Sequence, residues 1–135
     1  MFSPYETILL ADPDLDDVFF FRRTLEMAGL QNPVQVVHTG PEIIKYLEGI
    51  DKYSDRNSFP FPSYVFLENY LPLLSGIEVL ERLPHFVSFV PFVLFVEEMD
   101  FRVCERASEL GAIACLAKPF KVEHLWRIRA TIERP

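Results

Sequence analysis

Short apolar runs alternate along the chain with longer segments in which apolar residues return every three or four positions. The runs at residues 7–11 (TILLA), 34–37, 64–67, 91–96 (PFVLFV) and 112–117 predict five buried strands. The longer segments predict helices. Between residues 15 and 29, Leu15, Val18, Phe19, Arg22, Leu25 and Ala28 keep the three-to-four spacing, and Gly29 supplies a stop. Thr39 can cap a short helix over 41–47, with Pro41 tolerated in its first turn. Further helices are expected over 76–83, over 100–110, where Gly111 ends the segment, and over 122–132. The stretch 51–62 (DKYSDRNSFPFP) is polar and then proline-rich, and predicts a loop.

Five strands alternating with five helices through short connections predict an α/β fold, a doubly wound five-stranded parallel sheet covered on both faces. No repeat and no linker divides the sequence, so residues 1–135 are expected to form one domain with a core on each side of the sheet. In such sheets the site lies beyond the carboxyl ends of the strands. The sequence places Asp12, Pro13 and Asp14 after the first strand, Glu68 after the third, Val96 and Glu97 after the fourth, and Lys118 after the fifth. Carboxylates and a lysine converging on one crevice outline a cation or phosphoryl site.

Composition acts mainly by exclusion. Half of the 135 residues are apolar and 14% aromatic, with thirteen phenylalanines, which speaks against disorder. A net charge of −7 with scattered cations argues against a nucleic-acid-binding face. No apolar run approaches the ~20 residues that span a bilayer. The longest, 86–96, is interrupted by Ser88 and Pro91 and is expected to be loop plus strand. The N-terminal MFSPYETILL lacks the basic and apolar regions of a signal peptide, so a cytoplasmic protein without membrane association is expected. Cys104 and Cys115 have neither metal-ligand spacing nor a disulfide framework and are expected to be buried apolar thiols. His38, His85 and His124 fall on different elements without a metal-ligand partner and are expected at the surface or in loops. No Gly-rich phosphate loop, nucleophile elbow or zinc motif occurs. A flavin site in this fold would want a Ser/Thr/Gly-rich loop where DPDLDD stands. No enzymatic activity is expected.

With ILLADPDLDD, LENYLPLLSGIEVLERL, PFVLFVEEMD and GAIACLAKPF in this order, the chain resembles the receiver domain of two-component response regulators, in its single-domain form. The most specific marks are the Pro72/Gly76 spacing and Lys118-Pro119-Phe120 after a glycine-led strand. The resemblance covers nearly the whole chain and implies the (βα)5 sheet of the flavodoxin-like, CheY-like type and a role in phosphorelay signal transduction. In receivers an aspartate after the third strand accepts a phosphoryl group, while two acidic residues after the first strand hold Mg2+. A Ser or Thr after the fourth strand binds the phosphoryl group, an aromatic on the fifth moves inward, and a lysine pairs with the charge.

Nearly every one of those positions departs here. The acceptor position is Glu68, the second acidic position is Pro13, the hydroxyl position is Val96, and the switch aromatic is Cys115. Only Asp12 and Lys118 keep the expected chemistry. Glutamate is longer than aspartate by roughly 1.5 Å, and a misplacement near 1 Å costs on the order of a hundredfold in rate. The expectation is therefore a degenerate pseudo-receiver that acts through protein–protein interaction. Glu68 could mimic the phosphorylated state or simply pair with Lys118, and the latter is favoured. The alternative is a functional phosphoacceptor using Glu68, with Mg2+ held by Asp12 and Asp14. No cofactor is expected, with Mg2+ at most weakly held by Asp12, Asp14, Glu68 and the Tyr70 carbonyl.

The resemblance implies a protein partner, a sensor histidine kinase or another two-component protein. It also implies a homodimer through the fourth helix, fifth strand and fifth helix. Phe59, Phe61, Phe86 and Phe89 fall in segments expected to be loops, and Trp126 lies beside the core stripe Val122, Leu125, Ile128 and Ile132 of the last helix. These five residues are the interface candidates.

Overall fold

The computed structural model describes residues 3–132. Five strands, β1 (Ile8–Ala11), β2 (Val34–Val37), β3 (Tyr64–Glu68), β4 (Phe92–Val96) and β5 (Ala114–Ala117), form one sheet. Their order is β2-β1-β3-β4-β5, and every pairing is parallel. Six helices cover it: α1 (Leu15–Met27), α2 (Gly40–Glu48), α3 (Gly76–Arg82), α4 (Pro84–Val87), α5 (Phe101–Glu109) and α6 (Val122–Ile132). The doubly wound parallel sheet expected from the alternation is present, and it is of the flavodoxin-like, CheY-like type that the resemblance implies. Two short elements are added inside segments expected to be loop: α4, a single turn opened by Pro84, and a 3-10 turn over Asp51–Ser54. Four residues are too few to show a helical period.

Side chains alternate across the strands and divide the core in two. Leu9, Ala11, Val65, Leu67, Phe92, Leu94 and Val96 face α2, α3, α4 and α5. Ile8, Leu10, Tyr64, Phe66, Val93, Phe95 and Leu116 face α1 and α6. By the same alternation Asp12 and Glu68, one step beyond these runs, lie on the α1 and α6 side. The helix starts are specified locally. Asp14 caps α1, Thr39 caps α2, Ser75 and Glu78 form a reciprocal capping box on α3, and Asp100 caps α5.

The face of α1 differs from the sequence expectation. Leu15 and Phe19 are exposed (74% and 61%), whereas Phe21, Thr24 and Leu25 are buried, with Val18 and Ala28 packed partly against them. The run FFF leaves the helix a choice of phase. Phe21 decides it by stacking on Phe120 at 5.2 Å and meeting Phe66 edge-on at 5.0 Å. The stripe on α6 is as expected: Leu125 and Ile128 are buried, and Trp126 stands 43% exposed beside them.

The cysteines also depart from expectation. Cys104 on α5 and Cys115 on β5 are half-buried and joined by a disulfide, with their Cα atoms 5.4 Å apart. The chain reverses between α5 and β5, so the helix runs back along the strand and sets residue 104 beside residue 115. The sequence separation of eleven belongs to no recognised framework, so only the crossover geometry reveals the pair. Closing a loop of this size removes unfolded-state entropy worth roughly 3 kcal/mol.

Gly76 fixes the return from β3 into α3. Its N–H donates to the Asn69 carbonyl at 2.9 Å. A Cβ there would lie 2.7 Å from Leu94 Cδ1 and 2.9 Å from both Asn69 Cα and the Glu68 carbonyl oxygen. Any side chain at this position would therefore push on the strand end that carries Glu68.

The phase of α1 gives a direct test by urea denaturation. Phe21→Ala should lose about 3–5 kcal/mol. Phe19→Ala should stay within about 0.5 kcal/mol of the parent. Equal losses would return the helix to the orientation that spacing alone suggested.

Candidate functional site

The carboxyl ends of β1, β3 and β5 and the first turn of α1 meet around one ammonium group. Lys118 Nζ donates to Asp12 Oδ2 at 2.7 Å, Asp17 Oδ2 at 2.7 Å and Glu68 Oε1 at 3.1 Å. Glu97 Oε1 adds an ion pair at 3.5 Å. An ammonium has three donors, and here each has a carboxylate oxygen. The lysine is itself positioned by its backbone N–H, which donates to the Val96 carbonyl at 2.9 Å.

The two carboxylates at the strand ends have little capacity left over. Asp12 is 2% exposed, and its second oxygen accepts from the Asp14 N–H at 2.9 Å. Glu68, also 2% exposed, folds back so that Oε2 accepts from the Asn69 N–H at 2.9 Å. Each thus gives one oxygen to the backbone and one to Lys118. A cavity of about 40 Å3 lies against the lysine, walled by Asp17, Phe20, Phe21, Phe95 and Phe120. It has room for a few water molecules.

Burial raises the Glu68 carboxyl, a hydrogen bond with Glu97 raises it further, and the pull of Lys118 only partly opposes them, leaving it at about 7. Asp12 is also raised by burial, against the hydrogen bond from Lys118. Burial pulls the Lys118 ammonium down, yet its hydrogen bonds to Asp12 and Asp17, with the charges of Glu68 and Asp12, push it above its ordinary value.

The structure brings together Asp12, Glu68 and Lys118, as the order of strand ends suggested. It does not bring in Asp14, whose exposed carboxylate caps α1 by accepting from the N–H groups of Asp16 (2.8 Å) and Asp17 (3.3 Å). Asp17 stands in the place expected for Asp14. A charged residue in a helix's first turn ordinarily reads as a solvent-facing dipole partner, and only its position three residues after the cap hinted at a turn toward the crevice. Tyr70 extends an exposed ring from the loop after β3. Val96 is buried at the end of β4 and packs in the core, and Cys115 is taken up by the disulfide. Among the described residues, no three or more His, Cys, Asp or Glu side chains are arranged as metal ligands.

The aromatic candidates divide. Phe59 packs against Tyr46 and Tyr53 under the 51–62 loop and belongs to the core margin. Phe61 (37% exposed), Phe86 and Phe89 (57% exposed) form a surface cluster with His85. They precede β3 and β4, at the end of the sheet opposite Lys118. Trp126 carries the Arg129 guanidinium 5.9 Å from its ring centre.

Neither a protein-family model nor a curated protein matches this sequence. Solved structures do. The fold is similar to the bacteriophytochrome response regulator RtBRR, with a TM-score of 0.81 and 25% identity over 97% of this chain and 80% of that one. Similarity to the bacteriophytochrome response regulator AtBRR is at TM-score 0.81 and 25% identity, over 96% and 93% of the two chains. For a response regulator receiver domain from Rhodospirillum rubrum the values are 0.70 and 27%, over 93% and 87%. The structural neighbours are thus response-regulator receiver domains, those of phytochrome response regulators among them.

The elevated Glu68 carboxyl links stability to pH. A carboxyl held above its ordinary value takes up a proton on folding. Its contribution is therefore full below about 4.5 and is lost as pH rises through about 7. Urea unfolding across this window should show stability falling by up to roughly 3 kcal/mol. Glu68→Gln should flatten the slope near pH 7 and leave only the share of Asp12, which burial also raises; an unchanged slope near pH 7 in this variant would place its origin elsewhere. Lys118→Met, which leaves buried carboxylates uncompensated, should cost about 3–5 kcal/mol at neutral pH in the same assay.

Proposed function

We propose that this chain is a receiver-type signalling domain of a two-component pathway, of the degenerate kind, that works by binding proteins rather than by taking a phosphoryl group. The observation that carries the reading is the simultaneous bonding of Lys118 to Asp12, Asp17 and Glu68. The ammonium occupies the centre of the carboxylates, where a phosphorylating receiver needs room for a dication and a phosphoryl group. Mg2+ demands near-octahedral oxygens at about 2.0–2.1 Å. The residues present do not fit it. Pro13 offers no carboxylate, Asp14 is committed to its helix cap, and both oxygens of Asp12 and of Glu68 already accept hydrogen bonds. Val96 supplies no hydroxyl for a phosphoryl oxygen. No step of this reading passes through a metal ion.

Glu68 is, in this reading, a fixed partner of Lys118 and not a phosphate mimic. One carboxylate sharing its lysine with two others lacks the charge and third oxygen of a phosphoryl group. The resting arrangement is therefore constitutive, and output comes through a surface. The proposed partner is a sensor kinase or another two-component protein in the cytoplasm. Pairing of two copies through α5, β5 and α6 would use the half-exposed Trp126. No helix among the described residues is long and apolar enough to cross a membrane.

A second reading draws on the position of Glu68 itself, a carboxylate at the end of β3 with Lys118 Nζ 3.1 Å from its Oε1, as in a phosphoacceptor. An amide NMR titration with Mg2+ and then beryllofluoride, on the parent and on Glu68→Asp, separates the two. The proposed function expects the parent to show no saturable shift with either ligand at millimolar concentration. Saturating, concerted shifts at Asp12, Glu68 and Lys118 in the parent would overturn it in favour of the phosphoacceptor.

A further inference from the structure

We infer that Cys104 and Cys115 form a thiol–disulfide exchange site, whose redox state sets how firmly α5 is held on β5 and how Lys118 is seated. This goes beyond the proposed function and stands whether or not Glu68 accepts a phosphoryl group.

The first observation is what the bond joins. β5 is an edge strand, paired only with β4, and of its four residues only Leu116 is buried. Helix α5 is similarly light, with Ala107 its one buried residue and Val103 packed partly against the core. Its ion pair to α3, Arg106 with Glu81 at 2.9 Å, is exposed and adds little in water. The covalent link is thus the strongest attachment between two weakly anchored elements, at a place where opening does not require the sheet to come apart.

The second observation is position. Cys115 lies three residues before Lys118 on the same short strand-and-turn segment. Lys118 is held from β4 through the Val96 carbonyl. A change in how the edge strand is gripped at residue 115 therefore reaches the backbone that aims the ammonium at Asp12, Asp17 and Glu68. Cys115 acts here as a positioning residue.

The third is access. Both cysteines are half-buried, and Cys104 Sγ lies 3.7 Å from Sδ of Met99, which is 48% exposed. With no S–H on a disulfide sulfur, this is a sulfur–sulfur contact and not a hydrogen bond. Phe101, one turn before Cys104 on the helix, is 79% exposed. Glu97, Glu98, Asp100 and Glu105 outnumber Arg102 and Arg106 around this apolar spot in sequence, so an uncharged dithiol, or one presented by a protein with an apolar contact surface, suits it better than an anionic thiol.

A thiolate of the dithiol attacks Cys104 Sγ and releases Cys115 as thiolate, giving a mixed disulfide. The second thiol of the reductant then displaces Cys104. Two electrons pass to the protein, two protons end on its cysteines, and the dithiol becomes a disulfide.

The test treats the full chain with dithiothreitol, counts thiols by alkylation and mass, and follows far-ultraviolet circular dichroism, amide exchange and the Lys118 amide signal. Both thiols should appear while the circular dichroism is retained. Exchange in α5 should rise about tenfold against an unchanged β1 and β3, and the Lys118 amide should shift. Oxidised dithiothreitol should reverse all three changes. The double variant Cys104→Ser/Cys115→Ser should reproduce the reduced state and ignore the reagent. Thiols that appear only as the fold is lost would make the bond a structural staple and overturn the inference. So would cysteines that stay unbonded under oxidising conditions, or reduction that leaves α5 and Lys118 unchanged. Equal initial rates with reduced glutathione at matched thiol would overturn the assignment to an uncharged or protein-borne dithiol.

Discussion

Lys118 enters a crevice that already contains Asp12 and Glu68, both almost fully buried, and its ammonium is what makes that burial tolerable. Ionised carboxylates removed from water without a counter-charge cost several kcal/mol each. The lysine, carried on the turn after β5, meets residues from β1, α1 and β3 in one set of three hydrogen bonds. The arrangement therefore ties the edge strand to the centre of the sheet across the end where this fold builds its sites. Compensation is incomplete. The Glu68 carboxyl is held up to about 7 because desolvation and the contact with Glu97 outweigh the attraction of Lys118. A cluster of this kind trades stability for a fixed geometry.

The proposed loss of phosphotransfer follows from the same constraint. A crevice whose cation is part of the chain has no need of a dissolved one, and oxygens engaged with backbone N–H groups are costly to release. What remains available for signalling is surface. Apolar side chains exposed outside the core include the Phe61–Phe86–Phe89 cluster at the end of the sheet opposite Lys118, Leu15 and Phe19 on α1, and Phe101 on α5 with Trp126 on α6, the helices that flank the β5 edge from opposite faces. The disulfide lies on α5 one turn from Phe101, so covalent state and an exposed apolar side chain coincide at the β5 edge.

Much of the fold was legible in the alternation of apolar runs with three-to-four periods, because both faces of a parallel sheet are buried and its strands read as nearly continuous apolar segments. The strand ends then located Asp12, Glu68 and Lys118. What escaped did so for physical reasons. The phase of α1 could not be read from three consecutive phenylalanines, since each face offered one, and the choice was made by Phe66 and Phe120 far away in sequence. Asp17 looked like an ordinary first-turn carboxylate, and Asp14 like a ligand, because capping geometry decides which one turns inward. The disulfide depends on the antiparallel return of α5 along β5, which no spacing rule encodes.

The most direct measurement of the central claim is detection of the Lys118 ammonium hydrogens themselves by 1H–15N NMR in a side-chain-labelled sample at neutral pH. An ammonium with all three hydrogens bonded to carboxylates exchanges slowly with water. The account predicts a resolved Lys118 Nζ signal that persists when millimolar Mg2+ is added and disappears from its bound position in Asp12→Asn. A signal broadened beyond detection by exchange, or one released by Mg2+, would mean that the lysine does not occupy the crevice and that the carboxylates are free for other chemistry.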